Sequence, residues 1–238
     1  MIILGIETAT QQVGCAIGGV EGVIASFQVS RGRRHAEILT PAIEFTFAQA
    51  NIDLSEVSVV AVDIGPGLFT GLRVGVATAK AMAQALRVPM IGLSSLDLLA
   101  FPVRWTPRLI TAAVDARRGE LYTAFYRQVP GGVQRLSEYR VCTPDDLASE
   151  LLARGEDSLL VGDGALRYAS TFASVPQVEL ASQSHACPSA AALVELAHPR
   201  ALREEFVQPW ELAPLYLRRS DAEIAWDGRH QPTGEPSI

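Results

Sequence analysis

Asp63-Ile64-Gly65-Pro66-Gly67-Leu68-Phe69-Thr70-Gly71-Leu72-Arg73-Val74-Gly75 is the stretch on which the fold turns. Before it, residues 57–62 form an almost continuous valine-rich run, which predicts a buried strand. After it, residues 74–86 are rich in alanine and free of proline, which predicts a helix. Three glycines and a proline in between demand an unusual backbone path, and Thr70 stands where a helix N-cap is expected. A strand, a glycine loop and a helix N-terminus form an arrangement that holds phosphate in other proteins. The spacing matches neither phosphate signature. Leu72 stands where a P-loop lysine belongs, and Gly65, Gly67 and Gly71 are spaced one residue too wide for a dinucleotide fingerprint. The loop reads as structural or protein-contacting, with an anion site as the alternative.

The helix after the loop carries two stripes of small residues. Gly71, Gly75 and Ala79 recur every four positions, and Ala77, Ala81 and Ala85 do the same beside them. Such faces let a second helix approach closely. Spacing alone does not say whether that neighbour lies in this chain or another.

The chain has 238 residues, nearly half of them hydrophobic, and a net charge of −6. That length holds one large domain or two small ones with ample core. The acidic balance argues against a generalist nucleic-acid binder. Cys15, Cys142 and Cys187 are too few and too scattered for a disulfide framework or a zinc module. No basic segment precedes the apolar residues 2–6, and no apolar run is long enough to span a bilayer, so a cytoplasmic, membrane-free protein is expected.

Read outward from the loop, residues 2–6, 13–17 and 23–29 predict three strands, the last two joined by a glycine-rich turn. A helix is expected over residues 35–50, kinked by Pro41. Residues 89–93 predict another strand, and Ser94-Ser95 cap a short helix. Residues 101–107 look like a domain junction. Strands then follow at 109–114, 120–126 and 158–161, with helices at 144–152 and 189–197. The polar, proline-bearing end predicts a mobile tail.

Several segments match one family in order. Leu4-Gly5-Ile6-Glu7-Thr8-Ala9-Thr10, then His35-Ala36-Glu37-Ile38-Leu39-Thr40-Pro41, resemble its first two signatures. The Gly65–Gly75 loop is similar to its G-P-G-S-F-T-G hallmark, and Asp115-Ala116-Arg117-Arg118-Gly119-Glu120-Leu121-Tyr122 and Pro214-Leu215-Tyr216-Leu217-Arg218 complete the set. Together they resemble the TsaB (YeaZ) family of bacterial tRNA threonylcarbamoyladenosine biosynthesis proteins. Glu7 replaces the usual aspartate and Leu68 the loop serine.

The resemblance implies an α/β fold of the two-domain actin-like ATPase kind (acetate kinase, Hsp70, actin), with mixed sheets flanked by helices. Its expected subdomains are 1–102 and 108–220, with 221–238 as the tail. It implies a non-catalytic subunit that supports threonylcarbamoyl transfer to the adenosine beside the anticodon. The expected partners are a TsaD-like catalytic paralogue, a TsaE-like ATPase, a second copy of the chain and, indirectly, tRNA. No cofactor is expected in this chain, ATP or ADP and metal belonging to the partner subunits. The implied interface is formed by the two helices that begin near His35 and Gly71, which form either a homodimer or the pairing with the paralogue. Its residues are His35, Ile38, Leu39, Ala42, Phe45, Gly71, Leu72, Gly75 and Ala79. The alternative is that these faces are buried against the sheet.

The residues offer little catalytic chemistry of their own. A helical metal site needs two histidines four apart, yet Leu39 follows His35 at that spacing, and His185, His198 and His230 lie far away. No G-x-S-x-G elbow occurs, and Cys15 falls within a strand. Neither a catalytic residue nor a metal site is expected. Actin-like ATPases place an acidic residue after the first strand and bind phosphate with loop hydroxyls and amides. Glu7, Thr8 and Thr10, with Gly162-Asp163-Gly164, are candidate remnants of those nucleotide loops. Arg31, Arg33, Arg34, Arg117-Arg118 and Arg218-Arg219 read as solvated loops or as a minor phosphate contact to tRNA. Against the partner-subunit reading stand a phosphotransferase of the same fold and a peptidase.

Overall fold

The computed structural model describes residues 1–30 and 34–218. Arg31, Arg33, Arg219 and the tail expected over 221–238 lie outside the described residues. The chain builds two mixed sheets. The valine run becomes β4 (Val57–Gly65), flanked in parallel by β1 (Ile2–Glu7) and β5 (Met90–Ser94). β2 (Val13–Gly19) and β3 (Gly22–Val29) continue the sheet as an antiparallel meander, giving the order β3-β2-β1-β4-β5.

β1 and β4 are apolar at nearly every position because both faces of this sheet are covered. Leu4, Ile6, Val60 and Val62 pack beneath α1 (His35–Ala50) and α2 (Phe69–Leu86). Ile3, Val59 and Ala61 point the other way. Each such buried aliphatic side chain contributes about 1.5–3 kcal/mol. Helix α2 starts at Phe69, five residues before the sequence predicts. Its N-cap is Leu68, which makes no side-chain capping bond, so Thr70 lies inside the first turn. α1 runs unbroken through Pro41, which sits on its exposed side.

α3 (Ser95–Ala100), capped by Ser94 on the Leu96 amide, leads to the second sheet. That sheet contains β6 (Leu109–Arg117), β7 (Glu120–Val129), β8 (Gly132–Arg135), β9 (Arg140–Cys142), β10 (Ser158–Val161) and β11 (Val178–Leu180). Its order is β11-β10-β6-β7-β8, with β9 also on β7. α4 (Pro144–Arg154) covers one face and carries a capping box between Thr143 and Asp146. Asp97 of α3 accepts hydrogen bonds from the Tyr126 and Tyr139 hydroxyls, both at 2.9 Å, and so anchors α3 to β7 and the segment before β9. The short helices α5 (Asp163–Arg167) and α6 (Ala169–Phe172) follow β10.

The last helix, α7 (Ala190–Leu202), is longer than predicted and continues through Pro199. Although it follows the second sheet in the chain, it packs on the first, where Leu193, Val194 and Ala197 cover Ile3, Val59 and Ala61. The chain beyond it stays there: Val207 bridges Met90, and the Leu215 amide donates to the Ile64 carbonyl at 2.7 Å. Leu217 then joins the core of the second sheet.

Candidate functional site

The glycine loop sits on the turn that follows β1. Thr8 Oγ1 donates to the Gly71 carbonyl at 2.8 Å, and the Leu68 amide donates to the Ala9 carbonyl at 2.6 Å. A β-carbon at Gly71 would run into the Thr8 carbonyl oxygen, and one at Gly75 into the Thr8 hydroxyl. These glycines therefore exist for close approach of α2 to the turn. His35, at the start of α1, closes the arrangement: its Nε2 lies 2.8 Å from the Thr10 carbonyl. A carbonyl only accepts, so Nε2 carries the proton.

This packing sets where the expected interface residues lie within the chain. His35, Leu39, Ala42, Gly71, Leu72, Gly75 and Ala79 are buried within the chain, Ile38 is half-buried, and only Phe45 is open, at 54% exposure. The physical reason is helical geometry. Ala79 and Ala81 are two residues apart, which puts them on nearly opposite sides of α2. The Gly71, Gly75, Ala79 stripe faces the turn and the sheet, whereas Ala77, Ala81 and Ala85 face out. Between α1 and α2 lies an open apolar depression of about 320 Å³, lined by Ile43, Phe47, Thr78 and Met82 among others.

A second cavity, of about 500 Å³, opens between the two sheets beside Gln12, Asp115, Arg117, Asp163, Arg167 and Cys187. Asp115 pairs with Arg117 at 3.0 Å and with Arg167 at 3.5 Å. Asp163 accepts from the Asp115 amide at 3.0 Å, and burial raises its carboxyl above the usual range. Gly162, at φ 108°, lies against the Ala113 carbonyl and leaves no room for a side chain. Cys187 is pushed up to about 11 by burial.

Of the expected nucleotide-loop residues, Asp163 lines this cavity. Glu7, Thr8 and Thr10 are buried beside it and engaged elsewhere: Thr8 on Gly71, Thr10 on the Gln12 amide, Glu7 on the Ala9 amide. The Thr8 hydroxyl is thus spent on the glycine loop, and the Thr10 hydroxyl accepts from the turn's own backbone. Sequence reasoning missed Arg167 and Gln12, which no local spacing singles out. It also missed Asp63, which is 1% exposed and adjoins Glu7 across neighbouring strands.

Among the described arginines of the basic clusters, Arg34 pairs with Glu37 at 3.5 Å and Arg218 with Glu120 at 2.9 Å. No group of three or more His, Cys, Asp or Glu side chains suited to a metal occurs among the described residues. None of the described helices is long and apolar enough to cross a membrane.

Comparison with known proteins gives these features a lineage. A family model described as TsaD, tRNA N6-adenosine threonylcarbamoyltransferase, matches residues 3–226. The chain is 28% identical over 230 residues to the tRNA threonylcarbamoyladenosine biosynthesis protein TsaB of Bacillus subtilis, covering 95% of this chain and 98% of that protein. It is 36% identical over 225 residues to an uncharacterized protein of Mycobacterium leprae, covering 93% of this chain but spanning only 56% of that relative. The structure of YeaZ from Pseudomonas aeruginosa superposes with a TM-score of 0.79 at 26% identity, covering 91% of this chain and 99% of that one. A hexokinase from Thermus thermophilus, at 11% identity and a TM-score of 0.50, shares the actin-like fold alone. The chain belongs to the TsaD family, within its TsaB (YeaZ) branch.

Proposed function

We propose that this chain is a partner subunit in the biosynthesis of threonylcarbamoyladenosine in tRNA. It supports threonylcarbamoyl transfer to the adenosine beside the anticodon by docking a TsaD-like paralogue, together with a TsaE-like ATPase. The observation that carries this reading is how the catalytic-looking residues are used. His35 holds the Thr10 carbonyl, Thr8 holds Gly71, and Leu39 fills core space where a second metal-binding histidine would stand. Nucleotide and metal then belong to the partner subunits, and tRNA is met mainly through them.

The docking face is the outer side of α1 and α2, with Phe45 exposed on α1, Ala77, Ala81 and Ala85 exposed on α2, and the depression between the helices. The same face serves a second copy of the chain when the paralogue is absent. Deleting the protein while the TsaD-like enzyme remains should abolish or strongly reduce the modified nucleoside in tRNA. The purified chain should also co-elute with the paralogue. Unchanged nucleoside levels in a strain without a substitute paralogue would overturn the role.

A second reading, a small-molecule phosphotransferase, draws on the cavity between the sheets with Asp115 and Asp163. ATP turnover by the isolated chain, lost on changing Asp163, would favour it.

A further inference from the structure

Glu7 ends β1, and Asp63 lies two residues before the end of the neighbouring parallel β4, one step beyond the paired Ile6 and Val62 and within reach of Ser95 of α3. They are 0% and 1% exposed. One oxygen of each carboxyl is well served. Glu7 Oε1 accepts from the Ala9 amide at 2.7 Å, and Asp63 Oδ1 accepts from the Gly65 amide and the Ser95 hydroxyl, both at 2.7 Å. The other oxygens, Glu7 Oε2 and Asp63 Oδ2, are buried with no hydrogen-bond donor. Neither carboxyl forms an ion pair among the described residues. Two adjacent bare carboxylates in an interior repel each other and lack compensation. A single proton held between their unserved oxygens gives both what they lack.

We propose that Glu7 and Asp63 share one proton in the folded protein, and that this proton is a pH-sensitive latch between the turn after β1 and the glycine loop. Glu7 braces Ala9, whose carbonyl receives the Leu68 amide just ahead of α2, and Asp63 braces Gly65. When the proton passes to base in the solvent, two carboxylates face each other and push the two loops apart. The Gln12 side chain and the Thr10 amide beside Glu7, and the Gly65 amide and Ser95 hydroxyl on Asp63, offset only part of this. Asp97 of α3 adds a further negative charge near Asp63. Cys187, ahead of α7, is a neutral thiol near Glu7, and His35 of α1 lies behind the Thr10 carbonyl. β2 and β5 place Gly14 and Leu93 beside the pair.

Burial, with Asp63 next, raises Glu7 well above the carboxylate range, and burial raises Asp63 to about 7. Because both are raised, the stability they contribute is complete in acid. It is lost as pH rises out of the ordinary carboxylate range, through about 7 for Asp63.

Carbon-13 NMR of the whole chain, following Glu7 Cδ and Asp63 Cγ, tests the shared proton directly. Both signals should respond together to each step of a coupled titration displaced upward from the ordinary carboxylate range. Independent titrations in the ordinary carboxylate range overturn the proposal. Thermal melting gives a second readout. Between pH 5 and 7 this pair should lower the wild-type Tm by roughly 3–5 °C per unit. Asp63→Asn keeps the Oδ1 acceptor and turns an N–H toward Glu7, so it should reduce that slope and melt higher at pH 8. Glu7→Gln should act likewise, and the double variant, with two donors facing, should lose the gain. Single variants that fold but retain the wild-type slope overturn the latch, and if neither folds, the NMR titration alone decides.

Discussion

Ala79 and Ala81 lie two residues apart on α2, and arginine at each should have opposite consequences. Ala79 is fully buried among Val62, Val76, Leu39 and the rest of the first core. An arginine there overpacks a filled interior, at about 1–3 kcal/mol. It also buries a cation with no partner, which adds several kcal/mol more. Against a total stability of about 5–15 kcal/mol, the variant should be insoluble or melt at least about 10 °C lower. Ala81 faces outward, where substitutions usually change stability by less than about 0.5 kcal/mol. Ala81→Arg should therefore melt like the wild type yet fail to associate, because a long charged side chain enters a close helix contact. Circular-dichroism melts and sizing chromatography, alone and with the TsaD-like paralogue, read both effects on one sample. A well-folded Ala79→Arg refutes the burial argument. A stable Ala81→Arg that still binds its partner refutes the docking face.

Gly71→Ala should lower stability by about 3 kcal/mol in urea unfolding, because the new methyl collides with the Thr8 backbone and displaces the start of α2. Tyr126→Phe removes one of two phenol donors to Asp97 and should cost about 1–3 kcal/mol. Thr143→Ala removes the cap of α4 and should cost about 1 kcal/mol by the same measurement. Cys142 and Cys187, both pushed up to about 11 by burial, should alkylate at pH 8 at least roughly 200-fold more slowly than a free thiol, and at the normal rate once unfolded.

What the sequence determined by itself was local. The valine run, the alanine-rich segment and the glycines between them specify strand, loop and helix, because β-branching, helix propensity and backbone freedom act within a few residues. The almost continuous apolar character of residues 57–62 already pointed to a buried strand. The motifs in order carried the family and the actin-like fold. The tertiary structure alone decided which stripe of α2 is buried, since both stripes are small and Thr8, which selects between them, lies 63 residues from Gly71. It alone put α7 on the first sheet after the chain had already formed the second. It alone set Glu7 beside Asp63 and turned His35 to Thr10. Periodicity gives a helix its faces, but the direction each face points depends on close packing with segments distant in the chain, and that is settled only when the whole core closes.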